Sequence, residues 1–288
     1  MKKLFILLLA FVYCTVLSAQ QLLVRGDDIG CTHASNVGVI KSYTDGIERS
    51  AELMVVTPWL PEAVKMLKEN PGLDVGLHVA ITSEWEMMKW RPLTQCPSIT
   101  DENGYFFPFI FPNPEYPGRS LTEVKDKIII AEVEAEIRAQ IELAKRLIPD
   151  LTHISGHMMP AAVSNEIADV FSRLSKEYGL PFVDSKEVME ELKIEMFPMQ
   201  WGLSPAERKA NFIKTLGKLE KGKTYLYVEH PAISGEEMQA IWHKGYENVS
   251  ADRQAVTDMF TDPEVKQLIN EKGIKLVSYG DMIRTQTK

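Results

Sequence analysis

The 288-residue chain has few cysteines, no excess of basic charge and few long apolar runs. Its three cysteines are too few for a scaffold held by many disulfides. With a formal net charge of -8, it lacks the concentrated basic surface that phosphate contacts need, which argues against a nucleic-acid partner. A neutral or cationic small-molecule substrate fits this composition better.

The N-terminus carries the one long apolar run. Met1-Lys2-Lys3 precedes apolar residues from Leu4 to Leu17, and Ser18-Ala19-Gln20 follows, a pattern typical of a secretory signal peptide. We predict that residues 1–19 are removed near Ala19, which makes the mature protein periplasmic or secreted, with no membrane attachment. A short membrane anchor is the alternative, although the run is shorter than the ~20 residues a span requires.

Two cysteines, Cys31 and Cys96, remain after such cleavage. An oxidising compartment would allow them to form one disulfide, and two buried or free thiols are equally compatible with the sequence. The sequence also leaves a homodimer open.

Residues 20–288 alternate short apolar runs with amphipathic stretches, which is typical of a single, largely parallel α/β domain. About seven strands with intervening helices predict a distorted (β/α) barrel resembling a TIM barrel. The predicted strands are Leu22 to Arg25, Ala51 to Val56, Asp74 to His78, Leu151 to Ser155, Pro181 to Val183, Thr224 to Val228 and Lys275 to Ser278.

Two further segments have clear patterns. Apolar residues at helical spacing predict one long helix from Leu121 to Leu147. The stretch at about 80–120, from Ala80 to Arg119, contains six prolines and an aromatic cluster, so it is predicted to be a loop insertion. Such an insertion either lines a substrate cleft or packs as a hydrophobic lid.

Candidate catalytic side chains recur where predicted strands end. The first strand runs into Gly26-Asp27-Asp28-Ile29-Gly30, the third ends at His78, and the fourth leads to His157. Active sites of parallel α/β folds lie at the carboxyl ends of the strands. Each motif alone also suits an ordinary turn or a structural histidine, but Asp, His and His together supply three ligands with room for water, as a catalytic metal site requires.

The sixth predicted strand, Thr224 to Val228, adds one more candidate, His230, within Glu229-His230-Pro231. An imidazole there could donate a proton to a leaving group, and the alternative is a loop histidine oriented by Pro231.

These motifs, in this order, resemble the YdjC-like family of carbohydrate deacetylases, distant relatives of the NodB-type polysaccharide deacetylases. The similarity extends from about Leu22 to Met282 and is carried by the Asp27-Asp28 motif, by Asn70 to His78, by Thr152 to His157 and by the His230 motif. It implies that Asp28, His78 and His157 bind a divalent metal, that Asp27 is the general base and that His230 is the acid.

The sequence departs from the family pattern at two places. Met158 and Met159 stand where relatives carry further histidines, and no arginine lies near Phe182-Val183-Asp184. Both changes put the family's chito-oligosaccharide specificity in question.

The expected reaction is metal-dependent removal of N-acetyl groups from a mono- or oligosaccharide. Zinc suits the His-rich ligand set, and magnesium, manganese and cobalt are alternatives. The rival functions are a catalytically weakened carbohydrate-binding protein on the same fold and a metal-dependent hydrolase of a different bond.

Overall fold

A computed structural model describes residues 19–200 and 202–286, so the predicted signal peptide lies outside the described residues except for Ala19. The strands are β1 (Gln21–Ile29), β2 (Ser50–Leu53), β3 (Asp74–Val79), β4 (His153–Gly156), β5 (Ile194–Met196), β6 (Thr224–Glu229) and β7 (Lys275–Val277). The α-helices are α1 (His33–Thr44), α2 (Leu60–Glu69), α3 (Leu121–Val124), α4 (Ile130–Leu147), α5 (Asn165–Tyr178), α6 (Lys186–Glu191), α7 (Pro205–Leu216), α8 (Glu236–Gln239), α9 (Val249–Thr261), α10 (Pro263–Glu271) and α11 (Tyr279–Gln286).

The strands form one parallel sheet in the order β4-β3-β2-β1-β6-β5. Strand β7 also pairs with the first residues of β1, from Gln21 to Leu23, whereas β2 pairs with β1 from Arg25 onward. Helices follow most strands, and the sheet curls into part of a barrel. The prediction of an α/β fold with about seven mostly parallel strands in a distorted barrel is confirmed.

Strand β1 is the central element of the sheet. After Gln21 every residue to Ile29 is buried, as expected for a strand covered on both faces. Its register pairs Gly26 with Glu229 at the end of β6. The carboxyl ends of these two strands therefore lie side by side.

Helix boundaries follow the capping rules. Ser204 and Glu207 form the reciprocal capping box at the start of α7, with Pro205 at the first helical position. Helix α5 begins after the N-terminal cap Ser164 and ends before Gly179, a C-terminal cap in the left-handed conformation. No helix within the described residues is both long and apolar enough to cross a membrane.

The strand prediction at Pro181 to Val183 was wrong. This segment makes only an isolated bridge, from Phe182 to Ile154, because Pro181 has no N–H and Ser185 caps the next helix almost at once. The strand that the sequence did not reveal is β5, whose Glu195 and Met196 are exposed, so it has no apolar run.

The single long helix predicted from Leu121 to Leu147 is interrupted. Helix α3 ends at Val124, and Ile128 and Ile129 have extended backbone angles before α4 begins. Three consecutive isoleucines, from Ile128 to Ile130, favour this break because β-branched side chains lose rotamer freedom in a helix.

The insertion after β3 packs largely as a hydrophobic lid. Trp85, Trp90 and Phe106 are buried in the main core cluster. Cys31 and Cys96 are buried free thiols, so they do not form the disulfide that the sequence allowed.

Candidate active site

Three predicted ligands converge at the carboxyl end of the sheet. One ligand atom from each of Asp28, His78 and His157 lies within 4.8 Å of the other two, and all three residues are buried. Asp28 Oδ1 is 3.7 Å from His78 Nε2 and 3.3 Å from His157 Nδ1. These residues come from the ends of β1, β3 and β4, so parallel pairing of three strands brings them together.

An irregularity in β1 presents both of its carboxylates to this cluster. The register between β1 and β2 shifts between Gly26 and Ile29, and Asp28 has a φ of 71°. A non-glycine residue in the left-handed region stores conformational strain, which is concentrated at functional sites. The bulge lets the neighbours Asp27 and Asp28 both approach His78 Nε2, at 3.6 and 3.7 Å.

Asp28 is ionised, and its two oxygens have different surroundings. Its Oδ2 accepts a hydrogen bond from Arg253 at 2.7 Å, while the buried Oδ1 has no hydrogen-bond partner among the described residues. Burial alone would raise the pKa of Asp28, but Arg253, His157 and His230 hold it well below its usual value. A buried carboxylate oxygen without a hydrogen bond is costly unless a cation compensates it, and the His157 ring, with Nδ1 3.3 Å away and a raised pKa, is one such cation here.

The two histidines turn different nitrogens toward Asp28. His157 places Nε2 3.0 Å from Glu84 Oε2, which leaves Nδ1 for Asp28. His78 places Nδ1 2.8 Å from Ser155 Oγ, which leaves Nε2. Such partners on the second ring nitrogen orient metal-binding histidines.

The charge states of the two rings also differ. Burial lowers the pKa of His78, so it is neutral with a lone pair available. Burial opposes protonation of His157 too, yet Glu84 and Asp28 raise its pKa to about 10. A metal that binds His157 must therefore displace this proton.

Asp27 is held by an arginine that the sequence analysis did not single out. Arg25 donates from two nitrogens to the two oxygens of Asp27, at 2.6 and 2.9 Å, and from a third nitrogen to Asp184 at 2.7 Å. Asp184, in the segment near Phe182, therefore accepts from an arginine of β1. A bidentate guanidinium fixes the plane of a carboxylate.

His230 follows β6, immediately after the Gly26–Glu229 pair. It is only partly buried, and it contributes to the lowered pKa of Asp28. It therefore lies next to the cluster and is more open to solvent than the three buried residues.

The donor set fits a divalent cation. In a tetrahedral site with bonds of about 2.0–2.1 Å, neighbouring ligand atoms are about 3.4 Å apart, and the Asp28 distances of 3.3 and 3.7 Å come close to this value. Two imidazoles and one carboxylate suit zinc and related metals. Asp28 Oδ1, which makes no hydrogen bond among the described residues, faces a nitrogen of each imidazole.

Four residues around the cluster were not predicted. Arg25 and Glu52 are charged residues inside apolar strand runs, a signal that could have identified them. Arg253 and Glu84 carry no local signal: Arg253 is 225 positions from Asp28, and Glu84 lies in the insertion.

Comparison with known proteins gives a consistent result. A model of the family described as YdjC-like protein matches residues 21–271. A carbohydrate deacetylase of Thermus thermophilus is 32% identical over 273 residues, covering 87% of this chain and 89% of the relative. A carbohydrate deacetylase of Thermoanaerobacter pseudethanolicus is 27% identical over 268 residues, covering 90% and 98%.

Among solved structures, a protein of Enterococcus faecalis V583 named for cellobiose-phosphate cleavage superposes with a TM-score of 0.70. The two sequences are 22% identical, and the match covers 92% of this chain and 99% of that one. This likeness supports the fold.

Proposed function

The chain belongs to the YdjC-like family, and on that basis we propose that it is a metal-dependent hydrolase that removes N-acetyl groups from a mono- or oligosaccharide. The relatives from Thermus and Thermoanaerobacter are carbohydrate deacetylases that match almost along their whole length. Their names support the substrate class. Metal dependence and the roles of individual residues are argued from the site.

One observation carries the proposal: Asp28, His78 and His157 are buried and each offers a ligand atom within 4.8 Å of the other two, and Asp28 Oδ1 makes no hydrogen bond with any described residue. These three residues would hold the metal, with zinc favoured and magnesium, manganese or cobalt as alternatives. When bound, a divalent cation would act as a Lewis acid that acidifies water and polarises the acetamide carbonyl.

Asp27 is the proposed general base. Its carboxylate lies beside the cluster, 3.6 Å from His78 Nε2, with its plane fixed by Arg25. A carboxylate in this position would accept a proton from the attacking water. Arg25 also prevents the Asp27 side chain from rotating away, because it donates hydrogen bonds to both carboxylate oxygens of Asp27.

His230 is the proposed acid. Departure of the sugar amine requires a proton on nitrogen, and His230 directly follows Glu229, the residue of β6 that pairs with Gly26 on β1. Its partial exposure suits a group that meets the substrate. The products would be acetate and a free amino sugar.

Two rival functions remain open to test. Met158 and Met159 both have positive φ values, 57° and 64°, directly after His157, and they replace family histidines. This change favours a carbohydrate-binding protein that has lost turnover. A hydrolase of a different bond would use the same cluster.

The test is acetate release from a panel of N-acetylated mono- and oligosaccharides, with zinc, magnesium, manganese or cobalt added to metal-free protein. The matched variants are Asp27→Asn, which removes the base, and Asp258→Asn, an exposed aspartate on α9. Release that disappears in Asp27→Asn and persists in Asp258→Asn would support the deacetylase. Metal binding without release from any sugar would favour the rivals, and hydrolysis of another ester or amide would identify the second of them.

A further inference from the structure

Glu52, in the middle of β2, is a carboxylate with no exposed surface. A buried charge of this kind is tolerated only when ion pairs and hydrogen bonds compensate it. Its contacts reach both the metal cluster and the proposed base, although Glu52 itself contacts neither.

The first connection runs through Ser155 to His78. The hydroxyl of Ser155 donates to Glu52 Oε2, and the same oxygen of Ser155 lies 2.8 Å from His78 Nδ1. A serine has one proton to donate. Because Glu52 takes it, Ser155 can only accept from His78, so His78 carries its proton on Nδ1 and presents a bare Nε2 to the cluster.

The second connection fixes Glu52 itself. Glu52 Oε1 lies 2.6 Å from His153 Nε2, and His153 Nδ1 lies 2.7 Å from the hydroxyl of Thr152. That hydroxyl donates its proton to Asp74, so His153 must donate from both nitrogens and is an imidazolium. Burial opposes this charge, but Glu52 raises the pKa of His153, and His153 with Arg25 lowers that of Glu52.

The third connection runs to the base. Arg25 Nε, which donates to Asp27, is 3.8 Å from Glu52 Oε1. A glycine in β3 makes room for this arrangement: a Cβ on Gly76 would lie 2.3 Å from His153 Nε2 and 2.6 Å from Glu52 Oε2.

We infer that Glu52 is a positioning residue that sets the metal-binding tautomer of His78 through Ser155 and steadies Asp27 through Arg25. The inference rests on the proposed metal site, whereas the tautomer of His78 exists with or without metal. Without Glu52 or Ser155, His78 Nδ1 is no longer restricted to donating a hydrogen bond, so either ring nitrogen of His78 can carry the proton.

The test uses Zn²⁺ binding by calorimetry and the ¹⁵N spectrum of the His78 ring in metal-free protein. The variants are Glu52→Met, Ser155→Ala and the conservative Ser155→Thr, which keeps a hydroxyl on the strand. Glu136→Met is the matched control, because Glu136 is an equally buried carboxylate that bonds Gln140 and the backbone of Leu93 and Thr94, away from the metal cluster.

We expect His78 in the Nδ1–H form in wild type and in Ser155→Thr, and a mixture with the Nε2–H form in Ser155→Ala and Glu52→Met. Zn²⁺ affinity should fall about 10- to 100-fold in the last two, as it does when other partners of metal-binding histidines are removed. Glu136→Met should bind as wild type does.

An unchanged tautomer in Ser155→Ala, or wild-type affinity in both Ser155→Ala and Glu52→Met, would overturn the inference. If Glu52→Met fails to fold, the Ser155→Ala and Ser155→Thr pair decides it. Absence of Zn²⁺ binding by wild type would contradict the proposed function instead, and the His78 spectrum would still decide the role of Glu52.

Discussion

The two histidines of the cluster show how single contacts determine which atom faces a metal. His157 uses Nε2 for Glu84 and turns Nδ1 inward, whereas His78 uses Nδ1 for Ser155 and turns Nε2 inward. The presence of a histidine in the sequence does not determine which ring nitrogen faces Asp28. The position of the neighbouring hydrogen-bond acceptor determines it.

Replacement of Glu84 tests this at one residue. Glu84→Ala should weaken Zn²⁺ binding about 10- to 100-fold because His157 loses the acceptor that orients it. Glu84→Gln keeps an acceptor oxygen, so its Zn²⁺ affinity should lie between those of wild type and Glu84→Ala. Calorimetry measures the affinities. Glu86→Ala is the control, since Glu86 lies two residues away and bonds Tyr116 instead of His157. Equal losses of Zn²⁺ affinity in Glu84→Ala and Glu86→Ala would contradict this role of Glu84.

The residues of the cluster could be predicted from the sequence, whereas the residues that support them mostly could not. Asp28, His78 and His157 each follow an apolar run, and the ends of parallel strands meet at one edge. Arg253 and Glu84 reach the cluster only through tertiary folding, from a helix and a loop whose local patterns are ordinary.

Among the elements, helix α1 has an unusual position for a glycine. A Cβ on Gly38 would lie 2.4 Å from the Cα of Ala232, in the loop that follows His230. The helix thus packs directly on the backbone of the segment that carries the proposed acid.

Gly38→Ala should therefore destabilise the protein. Alanine in a helix gains up to about 1 kcal/mol over glycine, but overpacking against an immobile neighbour costs about 1–3 kcal/mol. We expect a net loss of about 1–2 kcal/mol in the free energy of unfolding from urea denaturation, with reduced acetate release because the His230 loop is displaced. Gly235→Ala, where a Cβ meets no atom within 4 Å, should cost nothing. A stabilised Gly38→Ala would show that the loop yields freely.

Elements with strong periodicity were predicted and irregular ones were not. Strands β1, β3 and β6 have long buried runs, so their apolar sequence patterns were enough to predict them. Strand β5 has three residues and an exposed edge, and the break before α4 depends on local backbone preferences that helical spacing does not report. The bulge at Asp28 left no sign beyond a pair of aspartates.

At the scale of the whole molecule, stability depends on a buried acid outside the proposed mechanism. Glu48 has no exposed surface, and neither of its oxygens has a hydrogen-bond partner among the described residues. Burial and then the nearby Asp27 raise the pKa of Glu48 well above its usual value. The folded state therefore holds a proton that the unfolded state releases.

This linkage has a definite sign. The stabilising contribution of Glu48 is present below the ordinary glutamate pKa of about 4.3 and is lost as pH rises toward the folded-state value. Glu48→Gln cannot ionise, so its stability relative to wild type should increase between pH 5 and pH 8. Urea unfolding of both proteins at several pH values measures this difference. A difference that is constant across pH would contradict the raised pKa.

The curled parallel sheet was predictable as a fold class because alternating strands and helices admit few topologies. The order in which the strands pair was not predictable from the sequence, because β1 pairs with β7 through its first residues and with β2 through its later ones. Export and cleavage near Ala19 remain predictions.

The most direct test of the account is the position of a metal in crystals of the protein soaked with Zn²⁺, located by anomalous diffraction. The account predicts a peak about 2.0–2.2 Å from Asp28 Oδ1, His78 Nε2 and His157 Nδ1. A peak bound elsewhere, or none at these three atoms under conditions where the protein retains zinc, would contradict it.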